Sequence, residues 1–127
     1  MKALLTFGIT KKIRFGIMYK RGEIVLVPVP FSDLSYTKKR PVLVISNTAH
    51  NFVSSDMIVV AITSNLMQNG IVIESDDLTV GVLPKTSLIR CEKIYTLEQS
   101  IVVKRFGVVS GDVLIKVANE IHNLITE

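Results

Sequence analysis

The sequence predicts a mainly β domain with one C-terminal helix, a compact barrel against which that helix packs. Three observations carry this expectation. Short runs rich in Val, Ile and Leu recur from Gly22 to Val109 and are separated by turn-forming residues. Only the last segment repeats at helical spacing, through Val113, Val117, Ile121 and Leu124. The chain has 127 residues, 48% of them apolar. That is one domain's worth, and such a domain hides roughly 65–70% of its unfolded surface without needing staples.

The elements follow in order. Residues 22–30, GEIVLVPVP, read as a strand. Pro28 and Pro30 lack the N–H that a ladder needs, so this strand is expected to end near an edge or a bulge. Residues 31–39, FSDLSYTKK, read as a polar loop that turns basic. Residues 41–46 (PVLVIS) and 57–63 (MIVVAIT) are continuous β-branched runs, as buried strands are. Residues 47–56 read as a loop, 64–69 as a turn, 70–74 as a short strand and 76–81 as another loop. Short strands are expected over 87–91 and 94–97, and a further one over 102–109. Ser110 then starts the helix, where its hydroxyl can cap free N–H groups and Asp112 suits the positive dipole end.

Composition narrows the setting. Cys91 is the only cysteine, so no intrachain disulfide forms and a reducing, cytoplasmic compartment is expected. The longest apolar stretches are about six to eight residues, well short of the roughly 20 that cross a bilayer. Six of the 15 Lys and Arg residues lie within residues 1–21, which hold no acid. No continuous apolar stretch follows that basic flank, so it does not read as a signal peptide. Residues 1–19 read as an N-terminal extension to a domain over 20–127, with Met18 an alternative start or the extension an added strand. From residue 22 onward nine cations face eleven acids. Overall basicity therefore says little about nucleic acid, and local clusters say more.

RGEIVLVPVPFSDLSYTKKRPVLVIS, then VVAITSN, then LIRCEKIYTLEQS, then KRFGVVS with its helix resemble the PemK/MazF toxin family in order and spacing, across residues 20–125. The resemblance implies an SH3-like small barrel of the PemK/MazF/CcdB type with a C-terminal helix, assembled as a homodimer. It also implies an endoribonuclease that cuts single-stranded RNA at short motifs without metal or cofactor. A cognate antitoxin would neutralise it, in a complex that binds DNA.

RNA carries its own nucleophile, the 2′-hydroxyl. An enzyme then needs a base near that hydroxyl and cations or donors on the phosphate. Arg40 stands where the family has a catalytic arginine, just before the Pro-Val-Leu strand, and its planar fork matches phosphate oxygens. By position alone it reads as a solvated strand-end arginine. Thr63 matches a catalytic or phosphate-binding threonine, with Ser64 beside it as a second hydroxyl; position alone suggests an ordinary turn threonine. Arg90 and Glu92 fall on one face of a strand and Cys91 on the other. The PemK branch has an Arg-Cys-acid triplet here with aspartate as proposed base. Glu92 is one methylene longer. Arg90 suits charge stabilisation better than proton donation, since its pKa exceeds about 12. A plain surface ion pair is the alternative.

Asp33, Ser35, Tyr36, Lys38 and Lys39 form the expected RNA-flanking loop, with lysines for phosphates and Tyr36 for stacking. Family members can carry a catalytic histidine in that loop, and this sequence has none there. His50 reads as a loop residue and His122 as a surface helix residue, while Cys91 reads as core. No His, Cys and carboxylate set has metal-ligand spacing. Two other functions fit the same fold: a binding module without chemistry, and a gyrase poison. Relatives of the latter kind end in Trp-Gly-Ile, whereas this sequence has no tryptophan.

Overall fold

The computed structural model describes residues 18–30 and 37–127. Among these residues seven strands form one curled, half-barrel sheet: β1 (Glu23–Pro30), β2 (Thr37–Val44), β3 (Asp56–Thr63), β4 (Ile71–Ile73), β5 (Leu78–Gly81), β6 (Ser87–Glu98) and β7 (Lys104–Val109). Their order is β4-β6-β3-β2-β1-β7-β5, and every pairing is antiparallel. A short helix α1 (Thr48–Val53) links β2 to β3, and helix α2 (Gly111–Ile125) ends the chain. The expected mainly β, SH3-like fold with a C-terminal helix is the one found.

Both faces of the sheet are covered, which explains the unbroken apolar runs. Ile24, Leu43, Val60, Ile62, Ile89 and Cys91 pack under α2 through Val113 and Val117. On the other face Val25, Val27, Val42, Val44, Met57 and Val59 pack with Tyr19, and Leu97, Ile101 and Val102 close over them. Ser110 caps α2 as expected, its Oγ accepting the Val113 N–H at 3.4 Å. Leu124 is half exposed, so the buried stripe ends a turn earlier than its spacing predicts.

Several boundaries differ from the sequence-based expectation. β2 begins at Thr37, so Lys38, Lys39 and Arg40 lie within a strand and not in a loop. Pairing with β1 extends the strand through these polar residues: Lys38 opposes Val29, Lys39 opposes Pro28 and Arg40 opposes Val27. The expected loop at 47–56 contains α1, because the Asn47 side chain accepts the His50 N–H at 2.8 Å and nucleates a turn. His50 is thus a helix residue. The expected loop at 76–81 holds a 3-10 turn (Ser75–Asp77) and β5. The two strands expected at 87–91 and 94–97 are one strand, β6, with an interruption in its pairing. Pro28 and Pro30 sit where expected. The ladder between β1 and β7 stops at Leu26, so no neighbour on that side needs their missing N–H groups.

A buried polar network anchors the entry to β1. The Gln99 side chain accepts the Tyr19 N–H and donates to the Asn51 and Ser54 carbonyls, each at 2.9 Å. Asn51 Nδ2 donates to the Tyr19 carbonyl at 2.8 Å, and Arg105 lies over the Tyr19 ring, 4.5 Å from its centroid.

Candidate active site

Strand register builds the site. Val42 of β2 opposes Ala61 of β3, which opposes Arg90 of β6, so these three share one row and one face. Two residues further along lie Arg40 on β2 and Thr63 on β3, and the period of a strand returns them to that same face. Lys38 follows Arg40 there by the same alternation, whereas Lys39 points to the face that carries α2. The sheet therefore brings Arg40, Thr63 and Arg90 together from three adjacent strands, with Lys38 at the margin. Both lysines and Ser64 are exposed. Asp33, Ser35 and Tyr36, and the N-terminal segment 1–17, lie outside the described residues.

Glu92 joins this group through Arg90. Arg90 Nη2 donates to Glu92 Oε2 at 2.6 Å, with the two side chains 22% and 44% exposed. The Arg90 Nε is buried and has no hydrogen-bond partner. The pairing interruption makes the geometry possible. The β3–β6 ladder steps from Val60–Ile94 to Ala61–Arg90, and neither neighbour of β6 pairs with residues 91–93. A hydrogen bond from its own backbone N–H is the largest influence on the Glu92 carboxyl; burial opposes it, and the Arg90 guanidinium and then Lys93 add to it, so the carboxyl is held below its ordinary value of 4.5. Glu92 is thus an ionised carboxylate at neutral pH, and Arg90 a fixed cation beside it.

Thr63 Oγ1 accepts the Asn65 N–H at 3.1 Å. This is the turn bond that its position alone suggests. A hydroxyl that accepts one bond keeps its proton to donate, so the turn fixes the oxygen and leaves it able to serve an anion. Asn65 was not foreseen as a site residue, although the Thr-Ser-Asn sequence is a turn signature that could have exposed it. Glu120 of α2 was also missed. It lines, with Glu92, Asn69 and Cys91, a cavity of about 140 Å³ beside the site, and its distance along the chain leaves no local signal.

Cys91 is 2% exposed and packs under α2. Burial first, then Glu120 and Glu92, push its thiol up to about 11, so it is an inert core residue. Among the described residues no group of three or more His, Cys, Asp or Glu is placed to hold a metal ion. Among those residues no helix is long and apolar enough to cross a membrane.

Residues 20–125 match the family described as PemK-like, MazF-like toxin of type II toxin–antitoxin system. Comparison with curated protein sequences returns no match. Solved structures with the same fold include an endoribonuclease from mycobacterial species (18% identity, TM-score 0.65), covering 87% of this chain and 93% of that one. A mycobacterial endoribonuclease in complex with its cognate antitoxin is 21% identical, with a TM-score of 0.62 and coverage of 86% and 93%. A MazE–MazF complex from Deinococcus radiodurans is 19% identical, with a TM-score of 0.69 and coverage of 87% and 97%. At these identities the likeness is one of fold.

Proposed function

The chain belongs to the PemK-like, MazF-like toxins of type II toxin–antitoxin systems, and on that footing we propose that it is a sequence-selective, metal-independent endoribonuclease. Its substrate is single-stranded RNA, it works as a cytoplasmic homodimer, and a cognate antitoxin silences it. The observation that carries this reading is Arg90, on the same sheet face as Arg40 and Thr63, in an ion pair with Glu92. The names of the fold relatives, two of them endoribonucleases and two of them complexes with an antitoxin, support it.

The chemistry follows from the residue types. Glu92 accepts the proton of a 2′-hydroxyl, whose oxygen attacks the adjacent phosphorus. The bond from phosphorus to the 5′-oxygen breaks, leaving a 2′,3′-cyclic phosphate and a 5′-hydroxyl that takes its proton from water. Arg40 and Arg90 stabilise the charge growing on the phosphate oxygens, where donors aimed at the transition state act most strongly. Thr63 contributes a hydroxyl donor to the same phosphate. Lys38 and Ser64, with Asp33, Ser35 and Tyr36, flank the RNA strand and set which bases precede the cut.

The deciding experiment is cleavage of a long single-stranded RNA by the purified protein in EDTA, with Arg40→Ala alongside. Fragments ending in cyclic phosphate, lost in a folded Arg40→Ala variant, are the expected result. An unmodified RNA pool after incubation with well-folded protein would remove the ribonuclease reading.

A further inference from the structure

A difficulty sits inside the proposed mechanism. A general base works best when its proton affinity is matched to the operating pH. Glu92 in the free protein is held the other way, first by its own backbone N–H and then by Arg90, whose Nη2 donates to it at 2.6 Å. The residue meant to take a proton is occupied by the residue meant to bind the phosphate.

The geometry of the pair shows how this resolves. Arg90 meets Glu92 through a single donor, Nη2, and its Nε is left buried and unpaired. The bond is therefore monodentate, although guanidinium and oxyanions favour a two-point fork. An unpaired buried donor is unfavourable, so a ligand that draws the guanidinium outward and engages two donors improves on the resting arrangement. Glu92 also lies in a stretch of β6 without ladder partners. Residues 91–93 pair with neither neighbouring strand, so the backbone that carries it is not tied into the sheet.

We propose that the Arg90–Glu92 pair is a clamp that substrate opens: an RNA phosphate takes over the Arg90 guanidinium, and Glu92 is freed to accept the 2′-hydroxyl proton. This rests on the ribonuclease reading and adds its regulation: the base becomes competent only when a phosphate is in place. Of the other groups around Glu92, Lys93 on its own strand is exposed and favours the carboxylate. Glu120 of α2 lines the same cavity as Glu92. The phosphate on Arg90 adds another negative charge. Cys91 lines the same cavity as a buried, neutral thiol.

The test follows the Glu92 carboxyl by carbon NMR in glutamate-labelled protein, with the resonance assigned by its loss in Glu92→Gln. The probe is a mixed-sequence 2′-O-methyl RNA, which presents phosphates and has no free 2′-hydroxyl to react. The titration midpoint of Glu92 is expected to rise on binding by about one pH unit, the scale of exchanging a cationic for an anionic neighbour. In Arg90→Gln the free protein starts from the higher midpoint, and the probe moves it little. A midpoint that stays put or falls when the wild-type protein binds overturns the clamp, as does an unchanged response in Arg90→Gln. Cleavage of unmodified RNA, scored in parallel, separates the two readings. A shifting midpoint without cleavage removes the ribonuclease and keeps the clamp; cleavage without a shift does the reverse; neither shift nor cleavage removes both.

Discussion

Arg90, Cys91 and Glu92 are consecutive, yet a strand gives them opposite fates. Arg90 lies on the face it shares with Arg40 and Thr63 and ion-pairs with Glu92, while Cys91 turns into the core beneath α2. Replacing Glu92 by Gln keeps its size and removes its ability to take a proton. Cleavage is expected to fall at least about a hundredfold, the usual contribution of a general base. The wild-type acid limb has a defined sign. A carboxyl held below 4.5 in the free protein is still more than half deprotonated at that pH. Thus the midpoint of the acid decline in kcat/KM should fall below 4.5, in a profile of initial rates; the residual rate of Glu92→Gln should lack that decline. A limb centred near neutrality would assign the base elsewhere. Cys91 makes the contrasting case. A buried thiol pushed to about 11 is protonated at pH 8, so iodoacetamide should label it only after unfolding. Cys91→Ala should cut RNA within about threefold of wild type and lose about 1 kcal/mol of stability, the scale of a small core truncation.

At the scale of elements, the polar network around Gln99 does what apolar packing cannot. It fixes Tyr19, α1 and the link after β6 to one another through three hydrogen bonds from one amide. Gln99→Ala leaves an N–H and two carbonyls without their partner, and urea unfolding should show a loss of about 3 kcal/mol. Gln99→Glu keeps the acceptor and loses the donors, and should be intermediate or worse. Nothing in the sequence marks Gln99, because its partners lie at residues 19, 51 and 54. What was legible was whatever one segment decides alone. The runs in β2 and β3 announce strands covered on both faces, and Ser110 with the apolar spacing of Val113 and Val117 announces α2. Illegible were features set by a partner strand. β2 reaches back through Lys38 and Lys39 only because β1 offers them a register. β6 reads as two strands because residues 91–93 drop out of the ladder, the same irregularity that lets Arg90 meet Glu92. The site residues Arg40, Thr63, Arg90 and Glu92 are named from likeness to a family; the placement of the first three on one face comes from register, which the sequence does not print, and Glu92 joins them through its ion pair with Arg90.

The molecule as a whole is electrostatically divided. Residues 22–127 carry nine cations and eleven acids, while residues 1–21 carry six cations and no acid. If the sheet face alone receives RNA, the phosphate contacts fall to Lys38, Arg40 and Arg90, since Lys39 turns toward the side of α2. Each phosphate neutralised on a single strand contributes about −0.7 to the slope of log K against log salt. Three contacts give a slope of about −2, a shallow dependence for a nucleic-acid binder. Fluorescence anisotropy with 2′-O-methyl RNA measures it without cleavage. The paired control changes Lys2, Lys11, Lys12 and Arg14 to Gln together. A shallow slope that this change leaves alone places binding on the sheet face. A slope near −5 that collapses in the control would mean that the basic N-terminal segment supplies most of the affinity, with the sheet face left to position the reacting phosphate.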